Sequence, residues 1–261
     1  MPGMDRKREL ARAKLERQMA RRAARARRRR RLQAGLGAAI AVVVVLAGVW
    51  FLASQLSSGD KTTRAAGSNT DACAYVKADG QTAAKDVGVP TVDDVVRSGT
   101  QTVTLKTDAG TIAAQLDLAG APCTGHSFAH LAAQKYFDGT TCHRLTTKGI
   151  FVLQCGDPTG TGQGGPGYQF ANENLPTGKD PAYPAGTLAM ANAGPDTNGS
   201  QFFIVYKDTQ LSPDYTVFGK VTSGLDVVQK VAAQGVRNSS GDGAPKRAVR
   251  IDSVTAAAPG Q

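Results

Sequence analysis

Charge is missing from two places in this 261-residue chain, and each gap narrows what the chain can be. Residues 34–53, AGLGAAIAVVVVLAGVWFLA, contain no charged side chain. Beyond residue 31 there is no surplus of either sign, with 17 Lys and Arg against 18 Asp and Glu. Residues 1–31 hold 14 against 3. The formal charge of +10 therefore resides in the tail. A near-neutral remainder exerts little pull on a polyphosphate, which argues against nucleic acid as a partner. Cysteine is absent before residue 73, so no lipid-modified cysteine follows the apolar run. Histidine is scarce, at three residues. His126 and His130 have a metal-ligand spacing, but the Glu of H-E-x-x-H and a third ligand are missing, so no metal site is expected. No G-x-S-x-G elbow surrounds Ser200. Gly160, Gly162 and Gly165 match G-x-G-x-x-G, but Pro166 and Gly167 follow where a dinucleotide site needs a helix. That run reads as a glycine loop beside a groove. No internal repeat is visible.

What is present falls into five segments. Residues 1–33 form a basic tail. Ala11, Leu15, Met19 and Ala23 recur at four-residue spacing, which suits a basic helix on anionic lipid; a solvated charge run is the alternative. Residues 34–53 are long enough, at about 30 Å as a helix, to cross a hydrocarbon core. Their flanking arginines place the amino end in the cytoplasm. No A-x-A site follows closely, so the run reads as a single-pass signal anchor rather than a cleaved peptide. Everything after residue 55 is then expected outside the cell membrane. Residues 54–99 read as an extracytoplasmic linker and extended arm, Ser/Gly/Thr-rich at first, with Cys73 placed to pin the arm to the domain. The four cysteines fit two bridges, one or none.

From residue 100 the pattern becomes strand-like. TVTLKT and TIAAQLDL alternate around DAG as a hairpin. Pro122 opens a helical stretch, CTGHSFAHLAAQKYF, and LDVVQKVAAQ is a second helix ending at Gly235. IFVLQC, TLAMA, QFFIVY, TVFGKV and RAVRIDSVT read as short strands. Many strands with two helices predict a mainly β fold, a closed or nearly closed barrel over 100–256, with 257–261 as a short tail.

Here the chain resembles the cyclophilins, the peptidyl-prolyl cis–trans isomerases. The resemblance rests on CHRLTTKGIFVLQCGDP, MANAGPDTNGSQFFI and TVFGKV and covers roughly 100–256. It implies a closed eight-stranded antiparallel barrel capped by two helices, no cofactor, and proline-containing polypeptides as substrates. It assigns catalysis to Arg144, Gln154 and Asn192. It assigns substrate binding to Phe151, Val152, Ala191, Ala193, Gln201, Phe203, Leu211, Tyr215 and Gly162. This sequence departs from the pattern in three places. The run from Arg144 to Phe151 is two residues longer than usual. Tyr215 stands where a His is common. The pocket Trp is missing from DTQLSPDY, which bears on cyclosporin binding and not on catalysis. If Arg144 and Gln154 both face the groove, alternation puts Cys142 on their side and Cys155 on the other. A Cys142–Cys155 bridge is then disfavoured, and Cys155 is expected as a free core thiol. A monomeric isomerase assisting folding outside the membrane is the reading this supports. The alternative is a non-catalytic proline-binding scaffold.

Overall fold

The computed structural model describes residues 73–78, 82–238 and 240–260. The basic tail, the anchor expected at 34–53 and the first part of the linker lie outside the described residues. Among the described residues no helix is long and apolar enough to cross a membrane.

The elements follow the periodicities of the sequence. A two-residue strand β1 (Val76–Lys77) opens the described chain. The hairpin β2 (Thr100–Thr107) and β3 (Gly110–Asp117) turns where Thr107 Oγ1 accepts the N–H groups of Ala109 and Gly110. Its alternation buries Val103, Leu105, Ile112, Ala114 and Leu116 on one face. Helix α1 (Pro122–Ala133) starts on a proline that needs no N–H partner. It has no local side-chain cap. Instead the carboxylate of Glu173, fifty residues on, accepts the N–H groups of Cys123 (3.0 Å) and Thr124 (2.7 Å). That places negative charge at the positive end of the helix. Then come β4 (Arg144–Thr146), β5 (Val152–Cys155), β6 (Tyr168–Gln169), β7 (Thr187–Met190), β8 (Phe202–Val205) and β9 (Val217–Ser223). Helix α2 (Leu225–Ala233), β10 (Asp242–Gly243) and β11 (Ile251–Ala256) complete the chain.

Nine of these strands form one antiparallel sheet in the order β10-β4-β5-β8-β7-β9-β3-β2-β11. The sheet curls so that its inner face, with Phe202, Leu153, Ile204, Phe218 and Leu116, meets α1 and α2. Phe128 of α1 packs against Phe137, Phe202 and Phe218 at 4.9–5.3 Å between ring centroids. The expected eight-stranded closed barrel is not what forms. The sheet has nine strands, and its two ends meet near Thr141 and Arg250 in an isolated bridge rather than a ladder. The curl is nearly, not fully, joined.

The described residues of the arm, 73–78 and 82–99, are bound to the domain. Cys73 is bridged to Cys123 of α1, and β1 pairs antiparallel with β6. His126 and His130, the pair at metal-ligand spacing, each direct Nε2 at an arm carbonyl, of Thr91 and Val87 respectively. A carbonyl only accepts, so both imidazoles donate there and act as fasteners for the arm.

The second bridge, Cys142–Cys155, overturns the parity argument and leaves Cys155 bonded rather than free. Alternation holds only inside a ladder. Cys142 precedes β4, and its N–H donates to the carbonyl of Val249 on the approach to β11. The backbone leaves the β4 alternation there, and Cys142 turns inward to meet Cys155 in the core.

Candidate active site

The outer face of the sheet carries the site. Cross-strand register puts Arg144 (β4) opposite Gln154 (β5), Gln154 opposite Phe203 (β8), and Phe203 opposite Ala189 (β7). Directly opposed residues share a face, so these four stand in one row across four strands. Alternation also explains the paired phenylalanines. Phe202 points into the aromatic core, while Phe203 joins Val152, Ala189 and Val205 in a second apolar cluster on the outer face. Ala191, Leu211, Tyr215 and Ile150 pack on its rim.

The polar half of the row is fully connected. Asp242 receives Arg144 Nε at Oδ1 and Nη2 at Oδ2, both at 2.8 Å, a bidentate pair that fixes the guanidinium plane. Arg144 Nη1 donates to Gln154 Oε1 (3.2 Å). Gln154 Nε2 donates to Gln201 Oε1 (2.9 Å), and Gln201 Nε2 donates to the carbonyls of Gly162 and Gly164 (3.0 Å each). Amide dipoles thus relay a single orientation from the glycine loop to the cation. Hydrogen bonding to Asp242 raises the Arg144 pKa further, and hydrogen bonding to Arg144 holds the Asp242 carboxyl below its usual range. His143, beside Arg144, is held below the ordinary histidine range chiefly by burial, against the opposing pull of Asp157.

The glycine loop is a built wall. The Asp157 carboxylate, buried beneath it, accepts the N–H groups of Thr159 (2.7 Å) and Gly162 (2.6 Å) and the Thr159 hydroxyl. Burial alone would raise its pKa, but these hydrogen bonds and one from the Gly164 backbone outweigh it and leave the carboxyl below its usual range. A Cβ on Gly164 would stand 2.0 Å from Asp157 Oδ1, so only glycine fits. The wall encloses a cleft of about 150 Å³ with Gln154, Gln201 and the segment Ala191–Asn192–Ala193 opposite. Asn192 is held by its side chain, Nδ2 donating to the carbonyl of Asp214 (2.9 Å) and Oδ1 accepting from Gly194 N–H (3.3 Å). Among the described residues its own main-chain N–H and C=O take no backbone partner. They are available to an extended peptide.

The structure thus brings together eleven of the twelve residues expected from the sequence, with Arg144 and Gln154 in the polar half and Val152, Phe203, Leu211 and Tyr215 in the apolar one. Phe151 is the exception. It packs against the inner cluster, with its ring 6.0 Å from Tyr206 and Lys207 Nζ 4.6 Å above it. The turn before β5 has two extra residues, and Ile150 reaches the outer cluster in place of Phe151.

Three supporting residues carry no mark in the sequence that reveals their roles. Asp242 lies 98 residues from Arg144, in the two-residue strand β10 within a Gly-Asp-Gly run with no motif around it. Asp157 reads as an ordinary loop acid. Tyr183 is fully buried beneath the apolar cluster, its ring 6.0 Å from Phe203 and 6.3 Å from Tyr215. Its hydroxyl donates toward the carbonyls of Ser212 and Tyr215 and accepts from Tyr215 N–H (3.0 Å), holding the loop that carries Leu211 and Tyr215. Burial pushes its pKa up to about 12. The one available signal is the flanking PAYP, since prolines on both sides mark a fixed irregular segment. Tyr183→Phe is expected to cost about 1 kcal/mol of stability, the net worth of one buried hydrogen-bonding hydroxyl. Urea unfolding checks it.

Comparison with known proteins agrees with this geometry. Residues 102–256 match the family described as cyclophilin type peptidyl-prolyl cis-trans isomerase/CLD. The chain is 50% identical over 184 residues to a Mycobacterium tuberculosis protein named probable peptidyl-prolyl cis-trans isomerase B, covering 66% of this chain and 60% of that protein. It therefore spans about three-fifths of the length of that curated relative. It is 47% identical over 133 residues to the Mus musculus peptidyl-prolyl cis-trans isomerase-like 1, covering 49% of this chain and 78% of the relative. Among solved structures, a Cryptosporidium parvum cyclophilin type peptidyl-prolyl cis-trans isomerase superposes with a TM-score of 0.54 at 32% identity, covering 61% of this chain and 98% of that one. The same protein was also solved in the presence of the dipeptide Ala-Pro, with a TM-score of 0.53. With the family match, the curled sheet and the Arg144 row in agreement, this chain belongs to the cyclophilin family.

Proposed function

We propose that this chain is a peptidyl-prolyl cis–trans isomerase that rotates X-Pro bonds of polypeptides outside the cytoplasmic membrane and so assists their folding. The observation that carries the reading is the Arg144 guanidinium, fixed by Asp242 and Gln154 at the edge of the Phe203 cluster. An X-Pro imide is planar by resonance, with a barrier of about 18–20 kcal/mol. No bond is made or broken in the rotation, so no nucleophile is needed. In the twisted state the imide nitrogen becomes pyramidal and gains a lone pair. Arg144 donates a hydrogen bond to that nitrogen, weak in the planar state and strong in the twisted one, which is differential binding. Val152, Phe203, Leu211 and Tyr215 give the proline ring an apolar slot. Asn192 holds the peptide backbone through its main chain, and Gln154 keeps the guanidinium in register. A five-decade acceleration requires about 7 kcal/mol of transition-state stabilisation. An Ala-Pro peptide followed by exchange NMR tests the reading. Acceleration of its cis–trans exchange supports catalysis, and binding without acceleration would make the chain a scaffold.

The titration directions give a second check. Asp242 has a depressed pKa, so its pair with Arg144 is intact above the ordinary carboxylate range and is lost only as pH falls through the depressed value. Burial holds His143 below the ordinary histidine range, so it is neutral above that range. The isomerisation rate is expected to stay flat from about pH 8 to about pH 7. A bell-shaped profile in that window would instead point to general acid–base catalysis.

The location rests on the sequence and on the cysteines. The charge-free run 34–53, flanked by the arginine-rich tail, suits a single-pass anchor with a cytoplasmic amino end, and the tail suits anionic lipid. Two disulfides suit an oxidising compartment. Protease added to intact cells is expected to remove the domain, and full protection would reverse the topology.

A further inference from the structure

The wall of the cleft is held from a third direction. Below it lies Asp157, and across the cleft lies Gln201. Behind it is the arm. Ala84 N–H donates to the carbonyl of Gly165 (2.9 Å), and Ala78 N–H to that of Gly167 (3.0 Å). β1 continues this contact by pairing Lys77 with Tyr168 and Val76 with Gln169. A Cβ on Gly167 would stand 3.0 Å from the Ala83 methyl, so the arm lies close against the loop. A run as glycine-rich as GTGQGGPG loses more backbone entropy on ordering than any other kind of segment, and its position depends on what fastens it. The arm is itself anchored far from the loop. The Cys73–Cys123 bridge fixes one end to α1, and the Tyr75 hydroxyl donates to the Cys123 carbonyl at 2.7 Å. The Tyr75 ring packs edge-on against Tyr168 and Phe170. The arm lies outside the segment, 102–256, that the family match covers.

We propose that the described part of the arm, residues 73–78 and 82–99, is a working part of the substrate-binding site, which sets the position of the glycine wall and thereby the affinity for polypeptides that reach beyond the proline pocket. The inference rests on the isomerase reading above. Among the described residues the apolar cluster contains none from the arm, so a peptide that fills only that pocket is indifferent to it. A longer peptide that also lies in the cleft feels the wall. Because Gln201 joins the wall to Gln154 and Gln154 to Arg144, a large displacement would reach the cation, but the first effect of loosening falls on binding.

The test uses the full chain in detergent and two variants. Cys73→Ala with Cys123→Ala releases the anchor. Ala84→Pro removes the arm's N–H donor to the Gly165 carbonyl with the bridge intact, so the proposal does not depend on the double variant staying folded. Exchange NMR compares a blocked Ala-Pro dipeptide with an eight-residue peptide carrying the same Ala-Pro. For both variants the expected result is a KM raised about three- to tenfold on the octapeptide, from the loss of one or two hydrogen bonds. Its kcat is expected to stay within about twofold, with the dipeptide unaffected. Amide exchange across 160–167 is expected to quicken in step. Unchanged octapeptide KM in an active, folded Ala84→Pro protein would overturn the role of the arm and leave the isomerase reading standing. Equal losses on both peptides would overturn it too, by marking the arm as general scaffolding. A wild type inactive on both peptides would remove the isomerase reading and this proposal with it.

Discussion

Arg144→Ala is expected to lower kcat/KM for an X-Pro peptide by about two to three orders of magnitude, the usual loss when one preorganised transition-state donor is removed. The fall is expected mainly in kcat, because the proline slot of Val152, Phe203 and Tyr215 remains. Arg144 is only half-buried, so its removal leaves no large cavity, and stability is expected to change little. Arg144→Lys is the sharper probe. Lysine keeps the charge but has no planar fork, so it cannot bind both Asp242 oxygens and Gln154 in one fixed orientation. It is expected to recover little of the lost rate. A lysine variant near wild type would show that charge alone suffices and that the bidentate pairing has no catalytic part. Exchange NMR at matched peptide concentration measures all three proteins, and a urea melt of each separates catalysis from folding.

Loss of the Cys142–Cys155 bridge is expected to lower stability by about 3 kcal/mol, from the chain entropy returned to the unfolded state when a loop of this length is opened. The sequence separation is 13 residues, and both sulfurs are enclosed by the core. Cys142→Ala with Cys155→Ala is the cleaner measurement, because a reductant would also open Cys73–Cys123. The urea midpoint is expected to fall with the slope almost unchanged. The bridge also stands directly under Arg144 and Gln154. Cys142 lies two residues before Arg144, and Cys155 directly follows Gln154. The β4–β5 ladder is short, holding only the Arg144–Gln154 and Leu145–Leu153 pairs, so the bridge is the covalent part of that frame. A double variant as stable as wild type would show that packing of the surrounding core already fixes the hairpin.

The outer face of the sheet is legible in the sequence because period-two alternation is local. Gln201, Phe202 and Phe203 divide between the faces as their spacing demands, and the β2–β3 hairpin turns where DAG says it should. Alternation fails where the ladder stops. Cys142 lies in such a place, and separating it from Cys155 by parity extends a strand two residues too far. Phe151 fails for a related reason. Two additional residues in the preceding turn shift which side chain reaches the cluster, and spacing along the chain cannot say which of Ile150 and Phe151 wins. Asp242 and Tyr183 are different again. Their roles arise from contacts 98 and 32 residues away, and nothing in the immediate sequence of either encodes the partner. The arm is legible only as far as Cys73, because beyond the bridge and Tyr75 it is fastened mainly through its backbone groups, which every sequence possesses.

The pairing of Arg144 with Asp242 has a consequence for what the site ignores. A guanidinium has five N–H donors. Two point at Asp242 and one at Gln154, which leaves one on each terminal nitrogen. The charge is neutralised by its neighbour, and the remaining donors are no longer presented as a free fork. Acidic side chains of a passing polypeptide therefore find no strong anchor in the cleft, and added salt has little attraction to screen. The site can hold a cation on its open face without becoming a trap for carboxylates.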